Sequence, residues 1–291
     1  MSASTAGRPP RSWLYVPATR PDRVAKALGG AAEAVVVDLE DAVPAAAKES
    51  ARAAALELAE GAERPFHVRV NDLAGPWGRA DLRALARSPV AGVRLPKVES
   101  AEQVREAAEA LADAAAPVAL HVLLESALGV ERAHEIATAH PWVAGVSLGE
   151  ADLRASLRVT ADAGLDWARS RVVTAARAAG LPGPVQSVYT DVADEEGLRA
   201  SSERGRAMGF FGRSVIHPRQ VPAVHAAYTP NERERAEAAE LLAGLEAAGA
   251  RGSGAFLTAD GRFVDPAVVQ AARAVVAFDP ATVSEHEGNT P

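Results

Sequence analysis

The feature that most constrains this chain is an alternation of short apolar runs with longer segments of helical composition. Runs rich in Val, Leu and Ile recur at residues 13–16, 34–39, 66–70, 92–95, 118–124, 143–148, 185–189 and 211–216. Between them lie Ala-, Leu-, Glu- and Arg-rich stretches, among them 21–28, 45–60, 101–114, 130–139, 165–179 and 194–208. Ser100 followed by Gln103 fits a capping box that opens one of these helices. Strands separated by helix-length segments pair in parallel through right-handed crossovers. Eight such units are the number that closes a (β/α)₈ TIM barrel, and the 291 residues suit a fold of about 250 residues with an appendage. A doubly wound open sheet is the alternative, but no Gly-x-Gly-x-x-Gly follows the first strand.

Past residue 228 the pattern changes. Residues 230–248 read as a charged Ala/Leu-rich helix, 251–254 as a Gly-containing break, and Asp260-Gly261 as a hairpin turn within 256–264. A last helix, 266–278, opens on Pro266. The expected organisation is a catalytic barrel over 9–227, a helix–hairpin–helix segment over 228–279, and flexible tails at 1–8 and 280–291.

Composition excludes several function classes. Aromatic residues are only 4%, so the core must be built from Ala, Val and Leu. Net charge is −7 and no basic block tracks along the chain, which argues against nucleic acid as a partner. The absence of cysteine removes disulfides, thiolate metal sites and a Cys nucleophile. No apolar run approaches the roughly 18 residues of a membrane span, and the N-terminus has no signal-peptide core, so the expected location is the cytoplasm.

In a barrel the chemistry sits at the C-terminal ends of the strands. The second run leads into Asp38, Glu40 and Asp41. The third places Arg69 and Asn71 on the face opposite Phe66, Val68 and Val70. The fourth delivers Lys97 and Glu99, the fifth Glu125, and the sixth Glu150 and Asp152. Oxygen ligands without thiolate or a His-x-x-x-His pair favour a hard cation, Mg²⁺ or Mn²⁺, which takes one or two protein carboxylates and keeps room for substrate oxygens. Glu125 and Asp152 fit that demand, and Arg69 could hold a substrate carboxylate through two bonds. The plainer readings are that Asp41 and Asp152 are helix N-caps, and that Lys97 is a rim ion pair with Glu40 or Glu125.

These segments resemble the citrate lyase beta subunit and malyl-CoA lyase-like families of the HpcH/HpaI aldolase superfamily. The likeness runs through Arg11-Ser12-Trp13-Leu14-Tyr15-Val16-Pro17, Asp38-Leu39-Glu40-Asp41, Arg69-Val70-Asn71, Leu95-Pro96-Lys97-Val98-Glu99, Leu124-Glu125-Ser126-Ala127, Leu148-Gly149-Glu150-Ala151-Asp152 and Ile216-His217-Pro218. It implies a CoA-ester lyase in which Glu125 and Asp152 hold Mg²⁺. Glu40 and Asp41 would hold metal-bound waters, and Arg69 with Glu125 would meet the substrate.

Arg20, Arg23 and Lys26 match the region that meets CoA phosphates; their alternative is a solvated basic face. Ile216 and Pro218 border the nucleotide part of CoA, with His217 shaping the loop. Asp265, in the C-terminal segment, matches an acid/base that a neighbouring subunit supplies, which implies a homotrimer or a hexamer of trimers. Shortened relatives lack that segment. The implied reaction cleaves a citryl-, malyl- or citramalyl-CoA-type ester to acetyl-CoA and a 2-oxo acid. The rivals are a malyl-CoA thioesterase in the same site and a carrier-dependent or non-catalytic subunit of an acyl-exchanging complex.

Overall fold

A computed structural model describes residues 8–250, 255–258, 261, 263–264 and 266–278. They divide into two compact units that adjoin in sequence at Tyr228 and Thr229.

In the first unit strands and helices alternate: β1 (Ser12–Pro17), α1 (Pro21–Leu28), β2 (Ala34–Asp38), α2 (Lys48–Gly61), β3 (His67–Arg69), α3 (Gly78–Leu85), β4 (Gly92–Leu95), α4 (Ala101–Ala110) and β5 (Ala119–Leu124). They continue with α5 (Ala127–Glu131), α6 (Ala133–Ala137), β6 (Val143–Leu148), α7 (Glu150–Leu157), α8 (Asp166–Ala178), α9 (Glu195–Ala207), β7 (Arg213–Val215) and α10 (Val221–Tyr228). Ser100 and Gln103 do form the capping box at the start of α4.

The seven strands make one parallel sheet in the order β6-β5-β4-β3-β2-β1-β7. Alternate residues divide between its faces. Leu14, Val16, Val35 and Val37 join the large core under the helices, whereas Trp13, Ala34 and Val36 form a separate small cluster with Tyr15 and Val185.

The sheet is strongly curled. Three strands separate β1 from β5, which in a flat sheet would set them about 19 Å apart at ~4.8 Å per strand. Yet the rings of Trp13 on β1 and His121 on β5 lie 4.8 Å apart, and the Arg94 guanidinium on β4 lies 5.0 Å from the Trp13 ring. His67 and His121, 5.1 Å apart, therefore fill the concave interior.

The seventh apolar run, 185–189, does not become a regular strand. Residues 184–189 bond β7 through backbone groups, with Phe211 N–H donating to Pro184 O (2.8 Å), Gln186 N–H to Gly212 O (3.0 Å) and Ser214 N–H to Gln186 O (2.9 Å). Toward β6 the partners are hydroxyls: Val185 N–H donates to Ser147 Oγ, Ser187 Oγ–H to Leu148 O, and Glu150 N–H to Ser187 Oγ. Serine side chains stand in for the rungs of a ladder on that side. The result is an α/β, TIM-barrel-like fold with a seven-stranded curled sheet, not eight regular strands.

The second unit contains α11 (Glu232–Gly249), capped by Asn231 and Glu234. A two-residue antiparallel ladder pairs β8 (Phe256–Leu257) with β9 (Phe263–Val264), and α12 (Pro266–Val276) follows. Asp260 and Asp265 lie outside the described residues. Among the described residues no helix is long and apolar enough to cross a membrane.

Candidate active site

The C-terminal ends of the strands surround a cavity of about 820 Å³. Tyr15, Asp38, Asp41, Arg69, Glu125, Gly149, Asp152 and Arg213 are among its lining residues. Pairing explains how distant sequence segments meet here. Asp38, Arg69, Arg94 and His121 are consecutive partners across β2, β3, β4 and β5, so Asp38 and Arg69 are neighbours although 31 positions apart in sequence.

Arg69 is more committed than its sequence context suggests. Its Nε and Nη2 donate to Asp38 Oδ1 and Oδ2 at 2.7 and 2.6 Å, a two-bond pair buried in the sheet. That fork is not free for a substrate carboxylate. Nη1 remains, 2.8 Å from Glu40 Oε2 and 3.0 Å from Asp41 Oδ2. Asn71 does not join it: its backbone N–H and side-chain amide donate to buried Asp81, which also binds Arg52. The strand ends at Arg69, so the alternation that pairs Asn71 with it no longer applies.

Glu40 is buried between Arg69 and Lys97, whose Nζ is 3.1 Å from Glu40 Oε1 and 3.5 Å from Asp152 Oδ2. Buried Lys48 donates to the carbonyls of Leu39 and Glu40 at 2.8 and 2.7 Å, fixing the loop that carries the acid pair. Burial raises the Glu40 carboxyl above its ordinary pKa. Glu99, the other acid after β4, turns away and accepts from Ser126 Oγ.

Glu125, just after β5, is only 8% exposed, and its Oε2 has no hydrogen-bond partner. Burial, reinforced by Glu40, pushes its carboxyl up to about 8. Gly149 makes room for it: a Cβ there would sit 2.6 Å from Glu125 Cγ. Asp152, assigned from sequence to a strand end, lies in the first turn of α7, where the helix dipole favours an acid. Its side chain is 54% exposed. Glu150 is a poor ligand candidate, because Arg169 grips both its oxygens at 2.8 and 2.7 Å. Arg169 also binds Asp162 and Asp166, and Arg154 and Arg204 bind Asp162, so α7, α8, α9 and the loop between α7 and α8 form one ionic network.

These donors fit a hard divalent cation. A buried carboxylate oxygen without a partner costs on the order of 1–3 kcal/mol or more, and a cation at that oxygen would both satisfy it and favour the ionised form. With every group ionised, Asp38, Glu40, Asp41, Glu125 and Asp152 against Arg69, Arg94 and Lys97 would carry five negative and three positive charges, an excess that a divalent ion would offset. Among the described residues no three His, Cys, Asp or Glu side chains form a complete protein cage for a metal. Two carboxylates facing an open cavity are what a cation retaining waters requires.

The expected CoA-contact residues divide. Arg23 and Ile216 line the cavity; Arg20, Lys26 and Pro218 do not. Arg20 pairs with its neighbour Asp22 on the surface, and Lys26 is exposed. His217 caps the turn at Pro218–Gln220, its Nδ1 accepting from Arg219 N–H, which is a structural role. Sequence reading gave no role to Tyr15, Lys48, Arg169 or Arg213. For Arg169 and Arg213 the available signal is basic residues in segments that otherwise pack as buried.

Residues 11–218 match the HpcH/HpaI aldolase/citrate lyase family. A (3S)-malyl-CoA thioesterase of Cereibacter sphaeroides is 38% identical, the match covering 92% of this chain and 94% of that protein. An L-malyl-CoA/beta-methylmalyl-CoA lyase of the same species is 35% identical with the same coverage. The crystal structure of CitE from Mycobacterium tuberculosis in complex with magnesium, acetoacetate and coenzyme A is similar at a TM-score of 0.79 and 35% identity, over 94% of this chain and 97% of that one.

Proposed function

Because the chain belongs to the HpcH/HpaI aldolase/citrate lyase family, we propose that it is an Mg²⁺-dependent carbon–carbon lyase. Its substrate is a 3-hydroxyacyl-CoA of the citryl-, malyl- or citramalyl-CoA type, cleaved reversibly to acetyl-CoA and a 2-oxo acid. The observation that carries this reading is the buried Glu125 carboxylate, its Oε2 without a hydrogen-bond partner, in the same cavity as Asp152 from the first turn of α7. The magnesium and coenzyme A held by the M. tuberculosis CitE structure support it.

Glu125 and Asp152 would hold the cation, Mg²⁺ or Mn²⁺, with Glu40 and Asp41 ordering its waters. When bound, the ion supplies Lewis acidity and a template for the carboxylate and carbonyl oxygens of the 2-oxo acid. Arg69, locked by Asp38, directs Nη1 toward the acid pair and stabilises negative charge developing on oxygen. Asp265, from a neighbouring subunit of a homotrimer or a hexamer of trimers, returns a proton to the acetyl-CoA enolate after cleavage and removes it in condensation. Arg23 and Ile216 meet the CoA at the cavity wall.

The test is metal removal. Protein stripped with EDTA should lose acyl-CoA cleavage and regain it with Mg²⁺, and Asp152→Asn should not regain it; full activity in EDTA overturns the proposal. The similarity to a (3S)-malyl-CoA thioesterase favours a second reading, in which water attacks the thioester in the same site.

A further inference from the structure

Lys97 is one of two non-glycine residues with positive φ among the described residues, at 55°. Such a backbone costs on the order of 1 kcal/mol or more and persists only where its surroundings impose it. Here they do. Leu95 is held in register with Val122 of β5, and three residues on the chain returns to the same strand, Val98 N–H donating to Leu123 O at 3.2 Å. Pro96 and Lys97 bow out between these two anchors. The detour carries Nζ into the acid cluster, 3.1 Å from Glu40 and 3.5 Å from Asp152.

The two contacts are unequal. Glu40 is buried, its side chain 8% exposed, with Arg69 at Oε2 and Lys97 at Oε1, so losing Lys97 leaves one oxygen of a buried carboxylate without its cation; Asp152 is 54% exposed and can exchange Lys97 for another cation. An ordinary rim ion pair needs neither the strained backbone nor a position between a metal-ligand candidate and its neighbouring acid.

We infer that Lys97 is a placeholder and positioning residue for the divalent-ion site: its ammonium restrains Asp152 while no metal is bound, and it releases Asp152 but keeps Glu40 when the ion enters. This rests on the assignment of Asp152 as a metal ligand. The strained lysine then sets how tightly the ion is held. A unit positive charge within a few ångströms of a divalent ion opposes binding on the order of tenfold even at the dielectric of water.

The experiment is calorimetric titration of Mg²⁺ into the full-length protein, Lys97→Met and Lys97→Arg, with thermal unfolding of each in EDTA and in saturating Mg²⁺. Lys97→Met should bind Mg²⁺ about tenfold tighter, whereas Lys97→Arg should bind like the parent. In EDTA the Lys97→Met midpoint should fall below the parent's, and the gap should narrow in Mg²⁺, where only the Glu40 contact is still missing. Lys97→Asn, uncharged and at ease with positive φ, should show the same tighter binding if Met disturbs the fold. Unchanged or weaker binding by both uncharged variants, or a gap as wide in Mg²⁺ as in EDTA, overturns the inference. A parent protein that binds no Mg²⁺ overturns the metal assignment itself, whatever residue 97 does.

Discussion

Replacing Glu125 by Gln isolates the property on which the site depends. The carboxyl is pushed from its ordinary value of 4.5 up to about 8 by burial and by Glu40. A folded-state pKa above the unfolded one means that the folded protein binds the proton more tightly. The associated stability is therefore fully present below about pH 4.5 and is lost as pH rises through 8. At pH 7 the unfolded carboxyl is ionised and the folded one is mostly not, a difference of about 2.5 pK units or roughly 3 kcal/mol. Gln has nearly the same shape and no charge to bury, so metal-free Glu125→Gln should be more stable than the parent at pH 7.

At about 2–4 °C per kcal/mol for a unit of this size, the midpoint should rise on the order of 5–10 °C. At pH 5 the difference should shrink below about 1 kcal/mol. Differential scanning calorimetry in EDTA at both pH values measures this, and added Mg²⁺ should then stabilise the parent but not the variant. Equal midpoints at pH 7, or a gap that does not depend on pH, would refute the argument that Glu125 is a destabilising carboxylate awaiting a cation.

Three further substitutions probe the supports. Arg69→Met leaves Asp38 buried without its partner and should cost about 3–5 kcal/mol by denaturant unfolding, together with a fall in kcat on the order of 10²-fold or more; parental stability would mean that the Asp38 pair contributes little. Lys48→Met strands the carbonyls of Leu39 and Glu40 and should lower stability by about 2–4 kcal/mol in the same assay. Arg169→Met frees Glu150 at the start of α7 and should weaken Mg²⁺ binding about 10–100-fold by calorimetry, while unchanged affinity would show that α7 holds Asp152 without the ionic network.

The strands were legible where one face is apolar throughout and turn residues bound the run, as in residues 34–39 and 143–148. The run at 185–189, Val185-Gln186-Ser187-Val188-Tyr189, carries two polar residues, and toward β6 its bonds run through the hydroxyls of Ser147 and Ser187 rather than through a backbone ladder. Glu125 and Asp152 were two of seven acids that follow apolar runs, and it was the family resemblance that set them apart from Asp38, Glu40, Asp41, Glu99 and Glu150. The Asp38–Arg69 pair could not, since it depends on the register between β2 and β3, which composition does not encode. Arg94 was less accessible still. It is 1% exposed, with Nε and Nη1 unbonded, and packs over the Trp13 and Tyr15 rings inside the curl. Short buried strands give no sequence sign that one interior position carries a guanidinium. Burial depresses the charged form of Arg94, and beside it His67 falls to about 3, so the concave interior combines polar groups with little water.

Whether the Glu125/Asp152 site cleaves a carbon–carbon bond is decided by the identity of its products. The purified protein with Mg²⁺ and citryl-, malyl- and citramalyl-CoA, followed by mass spectrometry, should yield acetyl-CoA and the matching 2-oxo acid from at least one ester. Free CoA with an intact hydroxy acid, and no 2-oxo acid from any of them, would contradict that cleavage.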